Sequence, residues 1–252
     1  MASLSSNQIK FIRSLSQKKF RQETGLFVAE GEKIVNEALA SKFKVQAVYR
    51  TSEIGEDCMK RISNLATPSP VLAVIEQMTG DLTFSSSKLF SSLKNAKKDS
   101  LYLALDGVKD PGNLGTIIRL ADWFGIDAIF ASPESVEMYN PKVVQSTMGA
   151  IFRKPVIYAD LHQVVDTFTQ AGLPVYGTFL DGKNLYKTEA RNAKNGLIVM
   201  GSESFGISKE LEIKITSKLL IPPYPADAQT SESLNVAIAT AIICSEFRRP
   251  EL

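Results

Sequence analysis

From Leu101 onward the sequence repeats one arrangement, a short and nearly unbroken apolar run followed by a stretch with helical spacing. The runs are Leu101-Tyr-Leu-Ala-Leu, Ile126-Asp-Ala-Ile-Phe-Ala, Pro155-Val-Ile-Tyr, Val175-Tyr-Gly-Thr-Phe and Leu197-Ile-Val-Met. A strand with one face in water alternates polar and apolar residues, so runs that do not alternate belong to strands covered on both faces. The intervening helices supply that cover, and the pattern predicts an α/β domain built on a parallel sheet. A last helix, from Ser231 or Ser233 to about Arg248, carries Leu234, Ala237, Ile238, Ala241 and Ile242 on one stripe. That stripe must pack on the sheet or on a partner.

The N-terminal part reads differently. Asn7 to Glu23 forms one or two short polar helices, followed by a strand at Leu26-Phe-Val-Ala and a helix from Gly31 to Ala40 with Ile34, Val35, Ala38 and Leu39 at helical spacing. A strand at Val45-Gln-Ala-Val-Tyr, a helical stretch around Asp57 to Leu65 and a strand at Val71-Leu-Ala-Val-Ile complete a small α/β unit. Thr79 to Ser100 is rich in Ser, Lys and Asp with few periodic apolar residues, as suits a connector. The division is residues 1–80, a linker over 81–98, and a second domain over 99–252.

Charge separates the same two parts. Residues 1–100 carry 15 Lys and Arg against 10 Asp and Glu, a balance of +5, whereas residues 101–252 carry 14 against 17, a balance of −3. Lys10, Arg13, Lys18, Lys19 and Arg21 fall within a span of twelve residues, a density that favours a polyanion through counterion release. A solvated helix face accounts for the same charges equally well. The two cysteines, Cys58 and Cys244, and the single His162 have no metal-type spacing, so neither a disulfide framework nor a zinc site is expected. No signal-peptide core is visible at the N-terminus, and the run Val236 to Cys244 is too short to span a bilayer. A cytoplasmic protein without a membrane partner is expected.

In open parallel sheets ligands bind outside the carboxyl ends of the strands, and three loops there are distinctive. Asp106-Gly-Val-Lys-Asp-Pro-Gly-Asn-Leu-Gly-Thr-Ile-Ile-Arg leads into a helix beginning near Asn113, with Arg119 two turns in. Asn113 suits an N-cap, and Arg119 among apolar neighbours suits an ion pair with a carboxylate such as Asp122. Val199-Met-Gly-Ser-Glu-Ser-Phe-Gly-Ile-Ser is a Gly-x-Glu-x-x-Gly turn, and it matches neither the dinucleotide fingerprint nor a phosphate loop. The third loop, Leu220-Ile-Pro-Pro-Tyr-Pro-Ala-Asp-Ala-Gln-Thr-Ser-Glu-Ser-Leu-Asn-Val, opens the last helix and places Asn235 in its first turn.

Together these segments resemble the three signature motifs of the SpoU (TrmH-like) RNA 2′-O-ribose methyltransferases of the SPOUT superfamily, in order and across the whole second domain. Asn113-x-Gly-x-x-x-Arg119 resembles the first motif and Gly201-x-Glu203-x-x-Gly206 the second. Ile221-Pro222 with Ser233-Leu-Asn235-Val resembles the third, although its link through Pro223, Tyr224 and Pro225 is longer than the family usually has. Asn140-Pro-Lys-Val-Val and Met148-Gly-Ala-Ile-Phe-Arg-Lys-Pro are familial as well, with Gln145, Thr147 and Ala237 as departures. Arg21 to Gly31 is similar to the substrate-binding domain that precedes the catalytic domain in many members.

The resemblance implies a deep trefoil knot in the second domain, a homodimer, S-adenosylmethionine as cofactor, no metal, and methyl transfer to a ribose 2′-hydroxyl of RNA. It implies catalytic roles for Arg119, Asn113, Glu203 and Asn235, with Asn113 and Glu203 holding Arg119. It places the cofactor against Thr178, Gly201, Ile221, Ser233 and Leu234. The basic positions Lys10, Lys18, Lys19 and Arg21 are then the RNA contacts. Ribosomal RNA is favoured over transfer RNA by the separate basic domain. The rivals are a transfer-RNA methyltransferase, a catalytically silent RNA-binding or ribosome-assembly factor on the same fold, and a nucleotide-dependent oxidoreductase, which the missing dinucleotide fingerprint disfavours.

Overall fold

A computed structural model describes residues 4–78, 84–188, 195–225 and 233–249. The elements begin with α1 Ser6–Ser14, α2 Lys18–Thr24, β1 Leu26–Glu30, α3 Glu32–Leu39, β2 Val45–Arg50, α4 Thr51–Ile54, α5 Glu56–Ile62 and β3 Val71–Glu76. They continue with α6 Ser86–Lys94, β4 Leu101–Asp106, α7 Pro111–Trp123, β5 Ala128–Ala131, α8 Pro141–Thr147, β6 Val156–Tyr158 and α9 Leu161–Gln170. The last are β7 Val175–Asn184, β8 Gly196–Gly201, α10 Lys209–Glu212, β9 Ser217–Leu220 and α11 Val236–Phe247. No described helix is long and apolar enough to cross a membrane.

The chain divides into two compact units, one of Met1–Asp81 with Glu137–Arg153 and one of Leu82–Val136 with Lys154–Leu252. The first unit holds an antiparallel sheet ordered β1-β3-β2, in which Phe27 faces Ile75 and Val48 faces Ala73. Successive strand residues point to opposite faces, so Val28 joins a core with Ile12, Met59, Ile62 and Leu72, while Phe27 meets the ring of Tyr139 at 4.6 Å. Residues 137–153, which follow β5 in the sequence, pack with this unit through Tyr139 and Phe152. Apolar residues alone do not tell which of two cores they enter.

The second unit is a six-stranded sheet ordered β6-β5-β4-β8-β7-β9, with every pairing parallel. The unbroken apolar runs are its strands, and β8 is buried along its length. One face carries Leu93, Tyr102, Phe130, Val164 and Phe168; α7 and α11 pack against each other, and the Phe247 ring of α11 lies 4.9 Å from that of Tyr176. Burying a Phe168-sized side chain contributes about 1.5–3 kcal/mol, and its truncation to Ala costs about 3–5 kcal/mol. The stretch expected to be linker contains α6, whose Leu89 and Leu93 join this core. Strand order reverses between β4 and β8, which makes their carboxyl ends the crevice of the sheet.

Candidate active site

Each loop at that crevice is held by hydrogen bonds to its own backbone or to a neighbouring loop. After β4, the Asp106 carboxylate accepts from the Ser208 backbone N–H at 2.8 Å. Asp110 then caps α7, its Oδ1 accepting from the Asn113 N–H at 2.8 Å, with Pro111 in the first turn. The N-cap is thus Asp110 and not Asn113, which frees the Asn113 side chain. After β8, Ser202 and Gly206 exchange two backbone hydrogen bonds of 3.0 and 2.9 Å and close a tight hairpin. Gly201 is required there, because a Cβ would lie 2.0 Å from the Gly206 carbonyl carbon. Gly206 itself sits at φ +67, a region open to glycine.

The three loops meet at Asn113. Its Nδ2 donates to the Glu203 carboxylate, and its Oδ1 accepts from Asn235 Nδ2 at 2.9 Å. Asn235 is the N-cap of α11, with Oδ1 accepting from the Ala237 and Ile238 N–H groups at 2.9 and 3.2 Å. The helix therefore begins at Val236, so Asn235 lies just outside the first turn expected of it. A carboxylate only accepts and helix N-terminal amides only donate. Those two fixed ends set the orientation of both amide side chains between them.

Arg119 stands apart from this network. It is exposed on α7 and makes no hydrogen bond or ion pair among the described residues, so neither Asp122 nor the Asn113–Glu203 pair holds it. Both polar ends of Asn113 are occupied elsewhere.

Gly201 ends β8 and Ile221 follows β9, while Thr178 lies within β7 where its first run of pairing with β9 stops; the three strands are adjacent in the sheet. Thr178 pairs with Leu219, and after an irregularity Lys183 pairs with Leu219 as well. Gly182 has no room for a side chain, since a Cβ would meet the Leu219 carbonyl carbon at 2.5 Å. Lys218 holds this loop: it bonds Glu212, reaches Asp181 at 3.4 Å and lies 4.6 Å over the Phe179 ring. The Glu212 contact raises the Lys218 ammonium pKa above its ordinary value. Ser233 and Leu234 are exposed immediately before the α11 cap, whereas Ser231 lies outside the described residues. Adjacent strands whose loops open beside an exposed serine suit an adenosine and an amino-acid group, so the residues fit the expected cofactor.

A pocket of about 320 Å³ opens beside Glu203, with Asp106, Lys109, Glu134, Ser202 and Phe205 in its lining. The sequence reading missed Asp106, Lys109, Glu134 and Phe205. A carboxylate ending a buried strand, followed by Gly107, was the available signal for Asp106. Among the described residues no group of three or more His, Cys, Asp or Glu is arranged to hold a metal ion.

In the first unit Lys10, Lys18 and Lys19 are exposed, as is Arg13, which bonds the Ser63 carbonyl. Arg21 corrects the expectation. It is 1% exposed, pairs with both oxygens of Glu137 at 3.2 and 2.6 Å, and donates to the Leu15 and Ser16 carbonyls at 3.0 and 2.8 Å. A guanidinium engaged in this way has no face left for a phosphate.

Two family models match the chain. The one described as the SpoU rRNA Methylase family covers residues 100–245, and the one described as the MRM3-like substrate binding domain covers residues 6–85. The chain is 31% identical over 261 residues to the 23S rRNA (guanosine(2553)-2′-O)-methyltransferase RlmP of Bacillus subtilis, covering 98% of each. Among solved structures, the AdoMet-bound rRNA methyltransferase from Sinorhizobium meliloti is 31% identical with a TM-score of 0.84, over 99% of this chain and 97% of that one. A TrmH-family chain from Porphyromonas gingivalis is 38% identical with a TM-score of 0.83, over 98% and 99%.

Proposed function

Because the chain belongs to the SpoU rRNA methylase family, we infer that it methylates a ribose 2′-hydroxyl of ribosomal RNA with S-adenosylmethionine as methyl donor. The observation that carries this reading is the Asn113 junction, where the signature residues of all three motif loops are joined through one side chain. Relatives named as acting on 23S rRNA support ribosomal over transfer RNA, and a cytoplasmic place of action goes with that substrate.

When bound, S-adenosylmethionine supplies an activated methyl group on a sulfonium, so no metal is required for activation. The Thr178, Gly201 and Ile221 backbones, with Ser233 and Leu234, would hold it. The protein must then align the ribose oxygen in line with the methyl carbon and stabilise that oxygen as its proton departs. Arg119 is assigned to this task. An arginine remains protonated in ordinary surroundings, so it acts as a cation that grips a neighbouring phosphate and the developing alkoxide. It has no hydrogen-bond or ion-pair partner among the described residues, which leaves its donors for the RNA. Asn113, Glu203 and Asn235 act as a brace that fixes the α7 and α11 N-termini and the 202–206 hairpin around the reacting atoms. Lys10, Lys18 and Lys19 of the first unit contact the RNA backbone.

The deep trefoil knot belongs to this reading. It is supported by Leu219, which is flanked by both Thr178 and Lys183 and fits into the space left by Gly182. The homodimer is supported by Trp123 on α7, 84% exposed, and Ile238 on α11, 52% exposed, since large apolar side chains on neighbouring helices suit a partner surface. Isothermal calorimetry tests the reading at its root. S-adenosylmethionine and its demethylated product should each bind the folded protein without added metal, and absence of binding by both contradicts it.

A further inference from the structure

The pocket beside Glu203 is walled by charged, hydroxyl and glycine residues except at one place. Among the described lining residues only Phe205 is apolar, and its ring stands 86% exposed. Its backbone is nonetheless fixed. Ser202 and Gly206 close the hairpin with two backbone bonds, Ser202 Oγ accepts from the Phe205 N–H at 3.2 Å, and the adjoining Glu203 is bonded to Asn113. The ring is therefore carried on a braced turn next to the signature residues, and Asp106, Lys109 and Glu134 line the same pocket.

An aromatic face set against polar walls is the composition that receives a nucleobase, whose faces stack and whose edges carry donors and acceptors. A seam between protein copies has the reverse arrangement, an apolar centre with charge at its rim. Resting on the reading of this chain as an RNA 2′-O-methyltransferase, we propose that Phe205 stacks on an unpaired base of the RNA substrate and thereby positions the strand for transfer.

The test compares wild type with Phe205→Ala, Phe205→Leu and Phe205→Trp, using an unmodified large-subunit ribosomal RNA transcript. RNA affinity, methyl transfer, S-adenosylmethionine affinity and sedimentation are measured for each. Ala and Leu should weaken RNA binding by about tenfold to hundredfold, the usual effect of removing one base-stacking aromatic. Trp should bind as wild type does. Cofactor affinity and sedimentation should not change, because the side chain is exposed. Leu binding RNA like wild type, or Trp binding as poorly as Ala, overturns the stacking; so does a change of oligomeric state in Phe205→Ala, which assigns the ring to a contact between copies. A wild type that binds the transcript in a Phe205-dependent way yet transfers no methyl group overturns the enzymatic reading and leaves the stacking standing.

Discussion

Asn235 donates its amide to Asn113 at 2.9 Å across 122 positions of sequence, and the same Asn235 caps the helix that follows it. One side chain thus serves local folding through its oxygen and site assembly through its nitrogen. Substitution separates the two. Asn235→Asp keeps a capping oxygen but cannot donate, and it sets a second carboxylate near Glu203. Its stability should stay within about 1 kcal/mol of wild type, while turnover falls on the order of 10²-fold, as expected when a reacting group is misplaced. Asn235→Ala should lose turnover and about 1 kcal/mol of stability together. Normal turnover in Asn235→Asp contradicts the brace.

For Arg119 the expected pattern is the opposite one. The residue has no partner among the described residues to lose, so Arg119→Ala should melt as wild type does and bind S-adenosylmethionine unchanged. Its turnover should drop by about 10²–10³-fold, comparable to removing one preorganised donor to a developing oxyanion. Arg119→Lys keeps the charge but not the planar fork, and a large defect should remain. Single-turnover methylation with parallel melting curves measures both; near-normal turnover in Arg119→Ala removes it from catalysis.

The basic segment should divide by burial rather than by charge. Replacing Lys10, Lys18 and Lys19 with Ala should reduce the salt dependence of RNA binding by about two to three units of slope, at roughly 0.7–0.9 per phosphate contact, and leave the fold intact. Arg21→Ala should instead cost about 3–5 kcal/mol, because it strands Glu137 and two carbonyls. Filter binding across a salt series and chemical denaturation of each variant decide this. An unaltered slope in the triple variant assigns those lysines to a solvated face.

Alkaline pH should weaken the protein through its buried acids. Burial pushes the Cys244 thiol up to about 12 from its ordinary 9.0, and the Tyr176 phenol likewise to about 12. Both groups keep their protons in the native state while the unfolded chain loses them. Their contribution is therefore complete below about pH 9 and is lost as pH rises toward about 12. Melting temperature should fall across that window. In a Cys58→Ser variant the remaining thiol should resist Ellman's reagent at pH 8 until denaturant is added; rapid native reaction contradicts its burial.

How far the sequence discloses this molecule depends on what kind of signal a residue leaves. The strands at Leu101, Val175 and Leu197 are legible because double-faced burial forbids polar interruption. β9 is not, since Ser217 and Lys218 belong to an edge strand in which only Leu219 is buried. α6 hides among serines because its few apolar side chains, Leu89 and Leu93, cover a single stripe. At the site, Asn113, Glu203 and Asn235 stand out as motif residues, but their wiring depends on loops 90 and 122 positions apart. Arg21 resembles its neighbours Lys18 and Lys19 in charge, and only the fold brings Glu137 to it from 116 positions away.

The central claim is methylation of a ribose oxygen, and the alkali stability of the product tests it directly. Ribosomal RNA transcribed without modification is incubated with the protein and S-adenosylmethionine labelled on the methyl group, then hydrolysed in alkali. A 2′-O-methyl group blocks cleavage of the adjoining phosphodiester, so the label should appear in alkali-resistant dinucleotides, and it should be lost in Arg119→Ala. Label confined to mononucleotides would mean methylation of a base, and that result, or the absence of any label, would contradict the account.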